Sequence, residues 1–376
     1  MKAMNKLAIL NFIAVLLLTL SMPTKAVAFS VGSSGAVLME QKTGRVLYEQ
    51  NPHEIRRIAS ITKIMTAIIA IESGKMNEKV KVSKNAVYTE GSSVYLTPGE
   101  SIKLEDLVYG LMLRSGNDAA SAIAEHVGGS LEGFVFLMNQ KAEELGMKNT
   151  VFANPHGLDD HEKHYSTPYD MAILTRYAME NEIYQTISGT KVYKFTRESG
   201  PQQWKNKNRL LTEKYSYCTG GKTGFTKRAG RTLVTTAAKD GIDLIAVTLD
   251  GPDDWDDHIS MYEYGFRNFE LKEVLEEGPL TIKVKEMKNK ELFLKDSVYF
   301  PLAEKEELEV KIEYKLLHHK DLKKKTSGDV GIAIIYFKND VVRKIPIYVK
   351  QTEIQEKSWW EKMKSVFTQR SLMPDD

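Results

Sequence analysis

Apolar residues at helical spacing, Ile61, Ile64, Met65, Ile68 and Ile69, follow directly on Arg57-Ile58-Ala59-Ser60 and run to Glu72, with Gly74 as a stop. The spacing predicts a helix whose first turn holds Ser60. Lys63, three residues on, then lies on the same face, one turn above the hydroxyl. This S-x-x-K spacing suits a serine nucleophile with a lysine base. A serine hydroxyl is a poor nucleophile near neutral pH, and a solvated lysine with a pKa of about 10.4 is in the wrong protonation state to help it. The pair works only where burial and neighbouring positive charge lower the lysine pKa. A helix N-terminus would add N–H groups and partial positive charge where an oxyanion forms. An N-cap serine followed by a surface lysine gives the same spacing, and Ser188-Gly189-Thr190-Lys191 also matches it.

At the start of the chain, Lys2 and Lys6 precede an apolar run from Leu7 to Leu20, and Ala26-Val27-Ala28 supplies the small residues of a cleavage site. Residues 1–28 therefore read as a secretory signal peptide, the run being short of the ~20 residues of a membrane span. A mature chain starting at Phe29 is expected to work outside the cytoplasmic membrane, and with Cys218 as its single cysteine it can form no internal disulfide. The length that remains predicts two domains. A net charge of +2 argues against a nucleic-acid partner.

From Gly35 the alternation predicts a β-hairpin turning at Gln41-Lys42-Thr43-Gly44. A strand at Lys79 to Val82 and two helices, Leu104 to Leu113 and one starting near Asn117, come next. Ser115-Gly116-Asn117 joins those helices as a loop, its side chains aimed outward or into a cleft. Asn154 to Pro168 contains His156, His161 and His164, which invite a metal reading; Thr167, Pro168 and Asp170 fit a helix start instead. Arg231 to Ala237 and Leu244 to Leu249 read as antiparallel strands joined at Lys239-Asp240-Gly241. Lys222-Thr223-Gly224 falls on the neighbouring edge strand, where it can offer an ammonium, a hydroxyl and a close-approaching backbone to a carboxylate. Cys218, four residues before Lys222, shares its face if one regular strand holds both; otherwise it is a small packing residue. His258 to Phe269 reads as a closing helix, and beyond it short alternating runs such as Leu308 to Ile312 and Ile332 to Phe337 predict a small all-β domain.

Ser60/Lys63 at a helix start, Ser115/Asn117 between two helices and Lys222/Thr223/Gly224 on a strand come in order, each in the setting the chemistry needs. Ser188 has no S-x-N between itself and Lys222. On these motifs, together with Asn154-Pro155-His156-Gly157-Leu158, the chain from Gly35 to about Phe269 resembles the serine-type D-alanyl-D-alanine carboxypeptidases. These are low-molecular-mass penicillin-binding proteins, and the likeness is greatest to the sporulation-associated members of spore-forming bacilli.

The resemblance implies an α+β fold of the β-lactamase/transpeptidase type, an antiparallel sheet flanked by helices over residues 29–270. A β-rich domain over 271–352 and an amphipathic tail over 353–376 would follow. It implies that Ser60 attacks the bond between the two terminal D-alanines of a peptidoglycan stem peptide and that Lys63 takes its proton. Ser115 would relay a proton to the leaving group, and Asn117 would hold Lys63 and the substrate amide. The N–H groups of Ser60 and Phe225 would form the oxyanion hole, and Lys222 and Thr223 would bind the terminal carboxylate, with Gly224 beside the substrate. β-Lactam antibiotics would acylate Ser60, and no metal or organic cofactor is implied. Where many relatives carry a second carboxylate-holding arginine, this chain has Asp250 to Asp257, which leaves Arg228 as a substitute.

A class A β-lactamase would need an E-x-x-x-N segment between Ser115 and Lys222, and none exists. A non-catalytic penicillin sensor would not need the whole set of acid, base and oxyanion parts. A zinc peptidase built on the three histidines is the alternative outside serine chemistry. In the tail, Trp359, Trp360, Met363, Val366 and Phe367 would share one broad helical face edged by lysines, which fits a helix lying on a membrane surface or one docked on the β domain; the resemblance implies the former, at the outer face of the cytoplasmic membrane.

Overall fold

The protein is described by a computed structural model that covers residues 31–282, 290–318, 321, 324 and 327–351. The expected signal peptide, the amphipathic tail and part of the run from Thr281 to Val284 lie outside the described residues.

Strands β1 (Gly35–Glu40) and β2 (Val46–Gln50) form the expected hairpin, with Gly44 at φ +75° in its turn. After the helix Lys63–Glu72 come two short paired strands, β3 (Lys79–Lys81) and β4 (Ser101–Lys103), then helices Leu104–Tyr109, Asn117–Gly128 and Leu131–Glu144. Thr167 caps the helix Pro168–Ala178 by accepting from the Asp170 N–H, as its sequence indicates. A hairpin not anticipated from the sequence, β5 (Val192–Arg197) with β6 (Gly200–Lys205), lays Tyr193, Phe195 and Trp204 on the helical layer. Gly110 gives Trp204 its room, since a Cβ there would sit 2.9 Å from the indole ring.

Strands β7 (Cys218–Thr226), β8 (Gly230–Lys239) and β9 (Ile242–Leu249) complete an antiparallel sheet of order β2-β1-β9-β8-β7. The β8–β9 turn places Asp240 at φ +51° and Gly241 at +83°, the two positive angles that match the twist of a tight hairpin. One face of the sheet packs on the helical layer through Val37, Val234 and Val247, where Ile61, Ile64 and Met65 are wholly buried. The other face is covered by the helix Asp254–Asn268 through Leu38, Ala246, Met261 and Tyr262. That helix starts four residues before the expected His258, with Asp254, Asp256 and Asp257 in its first turn favouring the N-terminal dipole.

Beyond it lies a separate β-rich region. Strand β10 (Phe269–Leu275) pairs with β13 (Val298–Ala303), and β11 (Gly278–Pro279), β12 (Lys290–Leu294), β14 (Val310–Leu316), β15 (Gly328–Phe337) and β16 (Asp340–Gln351) make a second sheet of order β11-β12-β16-β15-β14. Arg45, from the β1–β2 side, reaches into this region. It bonds both carboxylate oxygens of Glu306, at 2.9 and 2.8 Å, and lies against the rings of Phe269, Phe300 and Phe337.

Candidate active site

The helix carrying Lys63 is entered through a tight 3-10 turn, Ala59–Thr62. Ala59 takes φ +47°, a conformation that costs a non-glycine residue about 1–3 kcal/mol. Gly157, at φ +88°, packs against this turn, so near the Ala59 carbonyl that a Cβ would collide with it. The turn leaves Ser60 partly exposed while Lys63 is completely buried.

Lys63 Nζ lies 2.9 Å from Ser60 Oγ, 2.7 Å from Asn117 Oδ1 and 2.5 Å from the His156 carbonyl oxygen. Asn117 is itself held, donating from Nδ2 to Glu90 O at 2.5 Å and from its backbone N–H to Ser92 O at 2.6 Å. Burial is the main force on the Lys63 amine. With the charges of Lys222 and Lys207 it drives the pKa well below the ordinary lysine range, against an opposing pull from Asp118.

A second serine–lysine pair faces the first. Ser115 adopts the left-handed region at φ +63° between its two helices, and Lys222 Nζ donates to Ser115 Oγ at 3.1 Å and to the Thr223 carbonyl at 2.6 Å. Burial, then Lys207, lowers the Lys222 pKa to about 7. Strand β7 is the sheet edge and runs beside the Ser60 turn. A Cβ on Gly224 would lie 3.0 Å from Ser60 N, so the bare glycine sets how closely the strand approaches. Phe225 beside it is 66% exposed, an apolar wall open to solvent.

These elements bound a cleft of about 310 Å³ lined by Ser60, Ser115, Thr223, Gly224 and Phe225. Lys63, Asn117 and Lys222 stand buried behind it. Sequence reasoning missed Ser92, Lys207, Arg231 and Trp255, which also line it. Arg231 was legible in principle, since pairing β7 with β8 puts it opposite Phe225.

Other candidates fall elsewhere. Ser188 is buried with its hydroxyl donating to Gln185 O, and Lys191 is exposed. Arg228 is engaged with Glu162 at 2.9 Å and is not part of the cleft wall. Cys218 is turned away from Lys222 by an irregularity in the β7–β8 register between Cys218 and Gly220. It pairs with Ala237 and packs with Leu210, Leu211 and Leu233, and burial raises its pKa to about 11, so it is a packing residue. His164 is bonded at both ring nitrogens, by Thr62 Oγ1 and the Ala153 N–H. His161 is exposed, and His156 reaches the site through its carbonyl rather than its ring. Among the described residues, no three His, Cys, Asp or Glu side chains are grouped to hold a metal.

The fold agrees with what comparison finds. The chain belongs to the D-alanyl-D-alanine carboxypeptidase family, whose model matches residues 22–253. It is 33% identical over 333 residues to D-alanyl-D-alanine carboxypeptidase DacF of Bacillus subtilis, covering 85% of each chain. To DacC of Escherichia coli it is 37% identical over 255 residues, 64% of this chain and 63% of that one. The crystal structure of penicillin binding protein 5 from Haemophilus influenzae superposes with a TM-score of 0.71 at 27% identity, over 86% of this chain and 98% of the other.

Gly157 gives the test of this geometry. Gly157→Ala must push back the Ala59 carbonyl and with it Ser60, and a misplacement near 1 Å costs on the order of 100-fold in rate. Penicillin acylation of Gly157→Ala should therefore slow by about that factor, with circular dichroism unchanged. Acylation at the wild-type rate would show that the turn does not depend on this contact.

Proposed function

We infer that this protein is a serine D-alanyl-D-alanine carboxypeptidase that acts on peptidoglycan stem peptides outside the cytoplasm and is acylated by β-lactams. The observation that carries the reading is the buried Lys63 amine between Ser60 Oγ, Asn117 Oδ1 and the His156 carbonyl, facing a cleft that also holds Ser115.

In the proposed cycle Ser60 Oγ attacks the carbonyl between the two terminal D-alanines. A neutral Lys63 has two N–H groups and one lone pair. The N–H groups suit the Asn117 and His156 oxygens, and the lone pair is left to accept the Ser60 proton. The Ser60 and Phe225 N–H groups would receive the oxyanion. Ser115, beside Lys222, would pass a proton to the amine of the departing D-alanine, while Asn117 also meets the substrate amide. Thr223 and Gly224 flank the substrate on the edge strand. Water then attacks the acyl-enzyme and frees the shortened peptide. The cycle consists of acyl and proton transfers among these groups and calls for no cofactor.

We assign this chemistry to a catalytic domain at 29–270 and place a β-rich domain at 271–352, a division supported by the separate hydrophobic clusters around Val234 and around Ile335. Residues 1–28 would direct export. The likeness to sporulation-associated carboxypeptidases supports a role in cell wall or spore cortex maturation, and the tail over 353–376 would hold the enzyme at the outer face of the cytoplasmic membrane. None of the described helices is long and apolar enough to cross a membrane, so attachment would be to the surface.

Ser60→Ala should lose D-alanine release and covalent penicillin labelling together, by several orders of magnitude. Labelling that survives in Ser60→Ala and disappears in Ser188→Ala would reassign the nucleophile. Deleting Ser358 to Asp376 should leave activity intact but free the enzyme from anionic liposomes on flotation; a truncated protein that still floats would dismiss the tail as the anchor.

A further inference from the structure

The cleft contains a guanidinium that the motifs do not account for. Arg231 on β8 stands opposite Phe225 of β7, and with Ser60, Ser115 and Thr223 it lines the same cavity. Its Nε and Nη2 donate to a single oxygen, Asp254 Oδ1, at 3.1 and 2.7 Å. Its Cζ lies 5.6 Å from the centre of the Trp255 ring. The Asp254 side chain is 3% exposed and that of Arg231 40%. The acid and the indole thus fix the arginine from the buried side, while Nη1 has no hydrogen-bond partner among the described residues. Of the five N–H donors of a guanidinium, two are used for this orientation and the rest remain for a ligand.

The other cations are less suited to meet an anion. Lys222 Nζ is buried and already donates to Ser115 Oγ and the Thr223 carbonyl. Lys207 reaches Ser92 Oγ at 3.4 Å. A guanidinium keeps its charge at any working pH, and its planar fork matches a carboxylate through two parallel bonds.

We propose that Arg231, aimed by Asp254 and Trp255, binds the C-terminal carboxylate of the substrate and selects peptides that end in a free acid, leaving Lys222 chiefly to Ser115. This rests on the carboxypeptidase reading and gives to Arg231 the main part in holding the carboxylate, which the sequence suggested for Lys222 and Thr223 with Arg228 as a second anchor. Asp254 and Trp255 act through Arg231 as positioning residues.

The experiment compares kcat/KM for a D-Ala-D-Ala-ended peptide with that for an acyl thioester lacking a carboxylate. It uses wild type, Arg231→Ala, Arg231→Lys, Lys207→Ala and the double variant Arg231→Ala/Asp254→Asn, which leaves no buried acid unpaired. Loss of a charge-assisted contact should lower kcat/KM for the peptide about 10- to 100-fold, mainly through KM. The thioester should change by less than about 3-fold, and Arg231→Lys should recover part of the loss. Equal losses on both substrates, no loss in either Arg231→Ala variant, or a selective loss in Lys207→Ala alone would overturn the assignment. A wild-type enzyme that hydrolyses the thioester but releases no D-alanine would overturn the carboxypeptidase reading itself.

Discussion

The arrangement of the catalytic region depends on keeping one amine, Lys63 Nζ, out of water and surrounded by oxygen atoms. An ammonium in that position would pay a large desolvation cost with no carboxylate bonded to it, so burial there favours the neutral form. The same burial needs apolar walls. They come from the helix Lys63–Glu72, whose Ile64, Met65 and Ile68 are wholly buried between the sheet and the helical layer. Thus the helix that packs the core is also the element that buries the Lys63 amine and lowers its pKa.

Several local strains follow from that requirement. Ala59 and Ser115 both hold positive φ, and each lies at a turn that brings a hydroxyl to the cleft. Their cost is borne by a rigid surround. The buried Asp118 carboxylate accepts from the Val94 and Leu96 N–H groups and from Ser93 Oγ, which ties down the loop whose Ser92 carbonyl receives the Asn117 N–H. From below, the Pro155 carbonyl accepts from Thr66 Oγ1 and the His156 carbonyl meets Lys63. The charge of Lys222 also lowers the proton affinity of Lys63. The site is therefore destabilising in itself and persists because the sheet and helices over-determine its position.

What the sequence revealed was local. The Ser60–Lys63 relation is a matter of three residues along a helix, and the β1–β2 and β8–β9 hairpins announce themselves by alternation and turn residues. The order of motifs then let the chain be compared with a family. What escaped depended on distant partners or on backbone angle. The β7 irregularity turned Cys218 away from Lys222, because an extra residue reverses the two-residue period. Gly157 appeared as part of a motif but without a task, since its value lies in a positive φ and an absent Cβ beneath Ala59. The β5–β6 hairpin went unnoticed although Val192 to Arg197 alternates, and its aromatic face has meaning only against Gly110 and Tyr109. Arg231 is ordinary on a strand and becomes a cleft residue only through its register with Phe225 and the buried acid behind it.

The central claim is that Lys63 is an uncharged amine in the unacylated enzyme. Lysine-selective isotope labelling with nuclear magnetic resonance, the Lys63 signal assigned by its absence in Lys63→Arg, observes that protonation state directly. The account predicts the chemical shift of a neutral amine well below the pH at which a solvated lysine loses its proton. A shift that stays that of an ammonium up to about pH 10, the range of a solvated lysine, would contradict it.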